Sequence, residues 1–198
     1  MKSAWFDENK LPHSMLNTNF PPLDKSDHFF SLEKCLSEIE INSVLDLGCG
    51  AAEASNVFTK HQYTGADLPH IIEKVAKKKN PGHNYISFEA NTSDFSFVKG
   101  YDIVLMNSFV SEIPNWFFVL SKVLPQCEKY VIIHRQEVYD GETQIKEYKT
   151  YGGLSTTKTI VNYNQLANVF RMNEFEILQE HNSFPYSSLH KTFLLKRE

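Results

Sequence analysis

The sequence is short of cysteine, of long apolar runs and of basic charge, and each shortage excludes something. Its three cysteines, Cys35, Cys49 and Cys127, stand far apart and are odd in number, so neither a disulfide framework nor a zinc-ligand spacing is present. That usage reads as a reducing, cytoplasmic setting, and no metal site is expected. The densest apolar cluster, Trp116 to Leu120, falls far short of the roughly 20 residues a bilayer span needs. The first residues also lack the apolar core of a secretion signal, so no membrane partner is expected. With a net charge of −4 and basic residues scattered outside Lys77-Lys78-Lys79, there is no basic face to meet a phosphate backbone, and nucleic acid is not an expected partner.

What is present is enough for one domain with a substantial core: 198 residues, 41% of them hydrophobic. Residues 1–27 show little periodicity but hold Trp5, Phe6, His13, Phe20 and Pro21-Pro22, and they read as an arm or lid in front of a domain spanning 28–198. Helical spacing over Phe29 to Ile39 leads into a strand at "VLDL" and then a glycine turn, with a helix expected from Ala51 to Lys60. "QYTGAD" is a second strand ending at Asp67. A helix then starts near Pro69 and stops at Asn80-Pro81-Gly82. Further strands are expected at Tyr85 to Ala90, Tyr101 to Met106 and up to His134, with a helix over 114–124. Strands alternating with helices give an α/β fold, a doubly wound and mostly parallel sheet. Two closing segments, "EFEILQEH" and "HKTFLLK", add an antiparallel pair for seven strands in all. Residues 135–162, rich in Thr and Tyr with Asp140-Gly141 and Gly152-Gly153, read as hairpin turns or a mobile, lid-like insertion.

The chemistry concentrates at "VLDLGCGAAEAS", residues 44–55. A glycine turn at the end of a buried strand brings backbone close to a ligand. A dinucleotide fold asks for Gly-x-Gly-x-x-Gly, but the third glycine position here is Glu53. A carboxylate there repels a diphosphate and fills the space a glycine leaves open. A phosphate-binding P-loop is excluded as well, for want of Gly-Lys-Ser or Gly-Lys-Thr.

"VLDLGCG", followed about twenty residues later by the strand-end acid Asp67 in "YTGADLP", resembles the class I S-adenosylmethionine-dependent methyltransferases over residues 40–135. The resemblance implies a Rossmann-like sheet and S-adenosylmethionine as cofactor. Gly48, Cys49 and Gly50 would pass beneath its methionine part. Asp67, with Leu68 beside it, would accept from the ribose hydroxyls, and Asp46 would face the amino group; as a turn acid, Asp46 would instead bond nearby amides. Asn91 falls where similar proteins carry an acid for adenine. Asp94 is the competing candidate, or a capping residue, and Phe95 either stacks on adenine or belongs to the core. Asn107, Ser108 and Phe109 would line the floor between cofactor and methyl acceptor.

Catalytic candidates are fewer, because displacement from a sulfonium needs mainly alignment, plus a base when the acceptor is a hydroxyl or ammonium. His134 ends the fifth strand and is either that base or a structural histidine. His181 is a second candidate. Glu112 either faces the acceptor or begins a solvated helix, and Arg135 either grips an anionic acceptor or pairs at the surface. The arm and the insertion, with Tyr139, Tyr148 and Tyr151, would enclose a small molecule. The block "TTKTIVNYNQLANVFRMNEFEILQEH" resembles the ending of methyltransferases associated with surface-polysaccharide gene clusters. That favours O-methylation of a sugar, glycan or sugar nucleotide. A nucleic-acid methyltransferase and a non-catalytic binding module of the same fold are the alternatives.

Overall fold

The computed structural model describes residues 3–19, 21–91 and 94–198. Five strands alternate with connecting helices and turns: β1 (Ser43–Leu47), β2 (Gln62–Asp67), β3 (Asn84–Ser87), β4 (Ile103–Asn107) and β5 (Tyr130–Tyr139). They are parallel, in the spatial order β3-β2-β1-β4-β5. β8 (Phe175–Phe184) and β9 (Ser187–Arg197) form the expected antiparallel pair, and β9 runs antiparallel to β5. Period-two alternation in the central strands divides the core between the two faces of the sheet. Leu45, Leu47, Val104, Met106, Val131 and Ile133 join one apolar cluster. Val44, Ile103, Leu105 and Ile132 join the other.

Nine strands are present among the described residues, where seven were expected. The extra two are β6 (Gln144–Lys149) and β7 (Ser155–Asn162), an antiparallel hairpin in the stretch read as hairpin turns or a mobile, lid-like insertion. Its β-branched run Thr156 to Val161 suits a strand, and burial of Thr156, Thr159, Ile160 and Val161 anchors it. β7 also pairs with the tip of β5 through Val138 and Tyr139. β5 can change partners because its ladder is interrupted between Ile133 and Gln136, where Arg135 takes the left-handed conformation at φ +60°.

The N-terminal arm is more ordered than its sequence suggested. It contains α1 (Lys10–Asn17), whose Leu11 and Met15, one turn apart, are fully buried against Ala51, Ile71 and Val75. Phe20 lies outside the described residues. The helix expected over residues 51–60 is absent; a short 3-10 turn, Glu53–Asn56, stands there instead. Ala52 is left-handed at φ +59°, which interrupts a right-handed helix, and Ser55-Asn56-Val57 are weak helix formers. α2 (Phe29–Ser37) and a helix from Pro69 to Lys79, widened by a π-helical turn at Ile72–Ala76, cover one face of the sheet. α4 (Trp116–Val123) and α5 (Tyr163–Met172), numbered with that helix as α3, cover the other. Among the described residues no helix is long and apolar enough to cross a membrane.

Candidate active site

A cavity of about 1230 Å3 opens at the carboxyl ends of β1, β2, β4 and β5, where open parallel sheets bind ligands. Its first wall is the glycine turn. The amides of Gly48 and Cys49 both donate to Ala66 O, at 2.8 and 3.1 Å, which clamps the turn onto β2. Gly48 must be glycine, because its φ is +79° and a Cβ would lie 2.4 Å from the Phe109 ring.

Asp67 stands at the end of β2 and receives two backbone amides, Gly50 N at 2.8 Å and Leu68 N at 2.7 Å. Burial pushes its carboxyl up to about 6, against the pull of those amides. Asp46, at the end of β1, accepts from the Tyr63 hydroxyl at 2.6 Å through Oδ2. Its Oδ1 is buried without a partner. Burial, opposed by the Tyr63 bond and reinforced by Asp67, raises its pKa to about 7. Asp46 therefore bonds a side chain from β2 rather than turn amides. Both aspartates line the cavity, as do Cys49, Gly50, Leu68 and Glu53. Glu53 makes a long ion pair with Lys79 at 3.8 Å. The absence of a helix removes a helix dipole from this turn, yet it leaves the Glu53 carboxylate at the cavity wall where the glycine count put it.

Further residues come from the ends of β3 and β4. Asn91 lines the cavity while its Oδ1 accepts from Asn115 at 2.6 Å. Asp94 does not line it: its carboxylate accepts from the amide and hydroxyl of Ser96, which is the capping role. Phe95 is also a core residue, packed edge-on against Phe88. Asn107, Ser108 and Phe109 do line the floor, with Ser108 left-handed at φ +57° and its amide tied to His134 O.

The opposite wall is built by the arm and the hairpin, and Glu112 joins them. It accepts from Trp5 Nε1 at 3.0 Å and from the Tyr148 hydroxyl at 2.5 Å. Burial raises its pKa, and those two bonds hold it back. With one donor from each side on its two oxygens, Glu112 ties the arm to the hairpin, and it lines the cavity as well. Trp5 also meets Tyr151 edge-on at 6.0 Å, and Ser3 bonds Thr156 at 2.8 Å. Phe6, Tyr148 and Tyr151 line the cavity. Tyr139 instead packs on Gly141, and His13 bonds Asn17 on the exposed face of α1.

Arg135 enters the cavity from the β5 bulge, its Nε donating to Asn107 Oδ1 at 2.8 Å. It is half-buried and held by a neutral amide, not paired at the surface. Burial lowers its pKa, and the tyrosines and Glu112 around it oppose that shift.

The two histidine candidates are placed elsewhere. His134 is wholly buried behind the cavity wall, because its strand position points it toward α2 and β9. His181 lies on β8, bonding Gln179 at 2.8 Å away from the cavity. The histidine that does line the cavity is His28, whose Nδ1 lies 2.9 Å from His134 Nε2. Sequence reasoning passed over His28 and Tyr63. No periodicity or spacing links His28 to a partner 106 residues away, and Tyr63 reads as one more apolar strand residue.

This strand order, with a glycine turn after the first strand and an acid ending the second, makes a Rossmann-like fold. No protein-family model matches the chain, and no curated protein matches it. Among solved structures, it superposes on CalS10, an amino pentose methyltransferase of Micromonospora echinaspora solved with S-adenosylmethionine, at TM-score 0.66 and 13% identity, covering 92% of this chain and 99% of that one. An S-adenosylmethionine-dependent methyltransferase of Clostridium acetobutylicum gives 0.62 and 13%, covering 92% and 93%. The glycopeptide N-methyltransferase MtfA, also solved with S-adenosylmethionine, gives 0.62 and 10%, covering 87% and 94%.

Proposed function

We propose that this chain transfers a methyl group from S-adenosylmethionine to a hydroxyl or amine of a small polar acceptor, with sugars, glycans and sugar nucleotides as the favoured class. The observation that carries the reading is the pair of strand-end carboxyls in one cavity. Asp67 is fixed by two amides and keeps lone pairs for the two ribose hydroxyls. The unpartnered Oδ1 of Asp46 lacks a donor, which the amino group of the cofactor would supply. Glu53 on the wall favours a cofactor without phosphates. When bound, the sulfonium supplies an electrophilic methyl. The chain's own part is to align the acceptor and exclude water.

The acceptor class is read from the wall facing those carboxyls. Tyr148, Tyr151, Asn107 and Arg135 offer aromatic faces, amides and a cation, a set that suits a polar ring carrying a phosphate or carboxylate. The amino pentose methyltransferase among the similar structures supports the same class. A screen of methyl transfer from S-adenosylmethionine labelled in its methyl group, against monosaccharides and nucleotide sugars, tests the reading. Label is expected in a nucleotide sugar. Label entering only RNA or DNA would overturn the acceptor class.

A further inference from the structure

Behind the cavity wall, five polar groups form a closed set of contacts. His28 Nδ1 lies 2.9 Å from His134 Nε2, and His134 Nδ1 lies 2.7 Å from Thr192 Oγ1. Thr192 Oγ1 also touches Ser31 Oγ at 3.0 Å and Ser183 Oγ at 2.9 Å. Ser31 Oγ donates to the His28 carbonyl at 2.9 Å. His134, Ser31, Ser183 and Thr192 are fully buried, so none of them takes a proton from water.

Proton counting then leaves one arrangement in which every contact carries a hydrogen. A carbonyl accepts only, so the Ser31 hydrogen is spent on His28 O. The Ser31–Thr192 contact therefore uses the Thr192 hydrogen. Thr192 Oγ1 is left as an acceptor, from Ser183 and from His134 Nδ1–H. Neutral His134 then has a bare Nε2, which accepts from His28 Nδ1–H. Both imidazoles are neutral, since burial lowers each pKa and the Arg135 charge adds to it. Of the two bare nitrogens, His134 Nε2 is occupied as the acceptor from His28, and His28 Nε2 is left free to accept. Among the described residues the His28 side chain bonds through Nδ1, to His134, and His28 lines the cavity. The register pair Asn107 and His134 puts His134, to which His28 is bonded, at the end of the β4–β5 pairing beside the floor.

Resting on the methyl-transfer reading, we propose that His28 Nε2 is the base that takes the proton of the methyl acceptor, and that Thr192, acting through His134, is a positioning residue that fixes the required tautomer. As the acceptor oxygen or nitrogen bonds to the methyl carbon, its proton passes to His28 Nε2, and the electron pair of the broken carbon–sulfur bond stays on sulfur. The neutral thioether leaves, and the imidazolium returns its proton to water when the cavity opens.

Nitrogen-15 NMR of the full chain labelled at histidine tests the tautomer without any turnover. His28 is expected to show a bare Nε2 and a protonated Nδ1, and a protonated Nε2 in the wild type would overturn the proposal. Thr192→Val is expected to shift His28 toward the Nε2–H form, and Thr192→Ser to restore it; an unchanged spectrum in a folded Thr192→Val variant contradicts the positioning role. With a nucleotide-sugar acceptor found by the labelled-methyl screen, His28→Ala is expected to lower turnover by about 100-fold or more at unchanged S-adenosylmethionine affinity, the scale of a lost general base. Full turnover by that variant would overturn it. A wild type that keeps the bare Nε2 yet binds no S-adenosylmethionine sinks the methyl-transfer reading and the base role with it, and leaves the tautomer standing.

Discussion

The β1–β2 side of the cavity takes its polar groups from strand ends and the turn between them. Backbone amides from Gly50 and Leu68 hold Asp67 there. On the β5 side the polar groups come from an arm, a hairpin and a bulge, and side chains hold one another: Trp5 and Tyr148 on Glu112, Asn107 on Arg135, His134 on His28. A site set by backbone geometry has a local sequence signature. A site set by long-range side-chain pairs has none. Under the proposed function, the first would hold the cofactor and the second would face the acceptor.

The difference breaks most visibly at Gly48. Gly48→Ala places a Cβ in the Phe109 ring at a φ of +79°, combining backbone strain with overpacking for a loss of roughly 2–5 kcal/mol. Chemical denaturation measures it, and a variant as stable as the wild type would show that the turn is not rigid. Asp67→Ala should weaken S-adenosylmethionine binding by about 1–3 kcal/mol in a folded protein, the scale of leaving buried polar groups unpaired. Unchanged affinity by calorimetry would remove Asp67 from the site.

On the other side, Glu112→Ala removes the acceptor of two flap bonds and should cost about 1–2 kcal/mol of arm docking, read as faster proteolytic cutting within the arm. Cofactor affinity should stay within about twofold, because the Glu112 bonds run to Trp5 and Tyr148 and not to Asp46 or Asp67. Equal loss of both would merge the two halves into one unit. A further effect is in pH. Asp46 and Asp67 hold their protons up to about 7 and about 6, above an unfolded carboxyl, so the ligand-free chain loses stability as pH rises through that window. A ligand donating to both favours their ionised forms. Binding should then release protons and tighten between about pH 5 and about pH 8, by at most about tenfold per unit for each proton released. Calorimetry in buffers of different ionisation enthalpy measures the release.

The same contrast explains what the sequence showed. Asp46, Gly48, Cys49, Gly50, Asp67 and Leu68 were all legible and all meet at the cavity, because a short turn forces neighbours in sequence to be neighbours in space. Asp94 failed because its local bonds to Ser96 satisfy it where it stands. His134 was expected to end its strand, but β5 runs on to Tyr139 and the His134 side chain is turned away; a contact across 106 residues brings His28 to the cavity in its place. The expected helix at 51–60 failed at Ala52, where the left-handed turn overrides a run of helix formers. α1 was hidden because its buried face is carried by Leu11, Pro12 and Met15 alone.

Calorimetric titration of the full chain with S-adenosylmethionine, set beside NAD, tests the central claim most directly. Saturable one-to-one binding of the sulfonium compound with no heat from NAD is the predicted result. Binding of NAD in that cavity, with none of S-adenosylmethionine, would contradict the account.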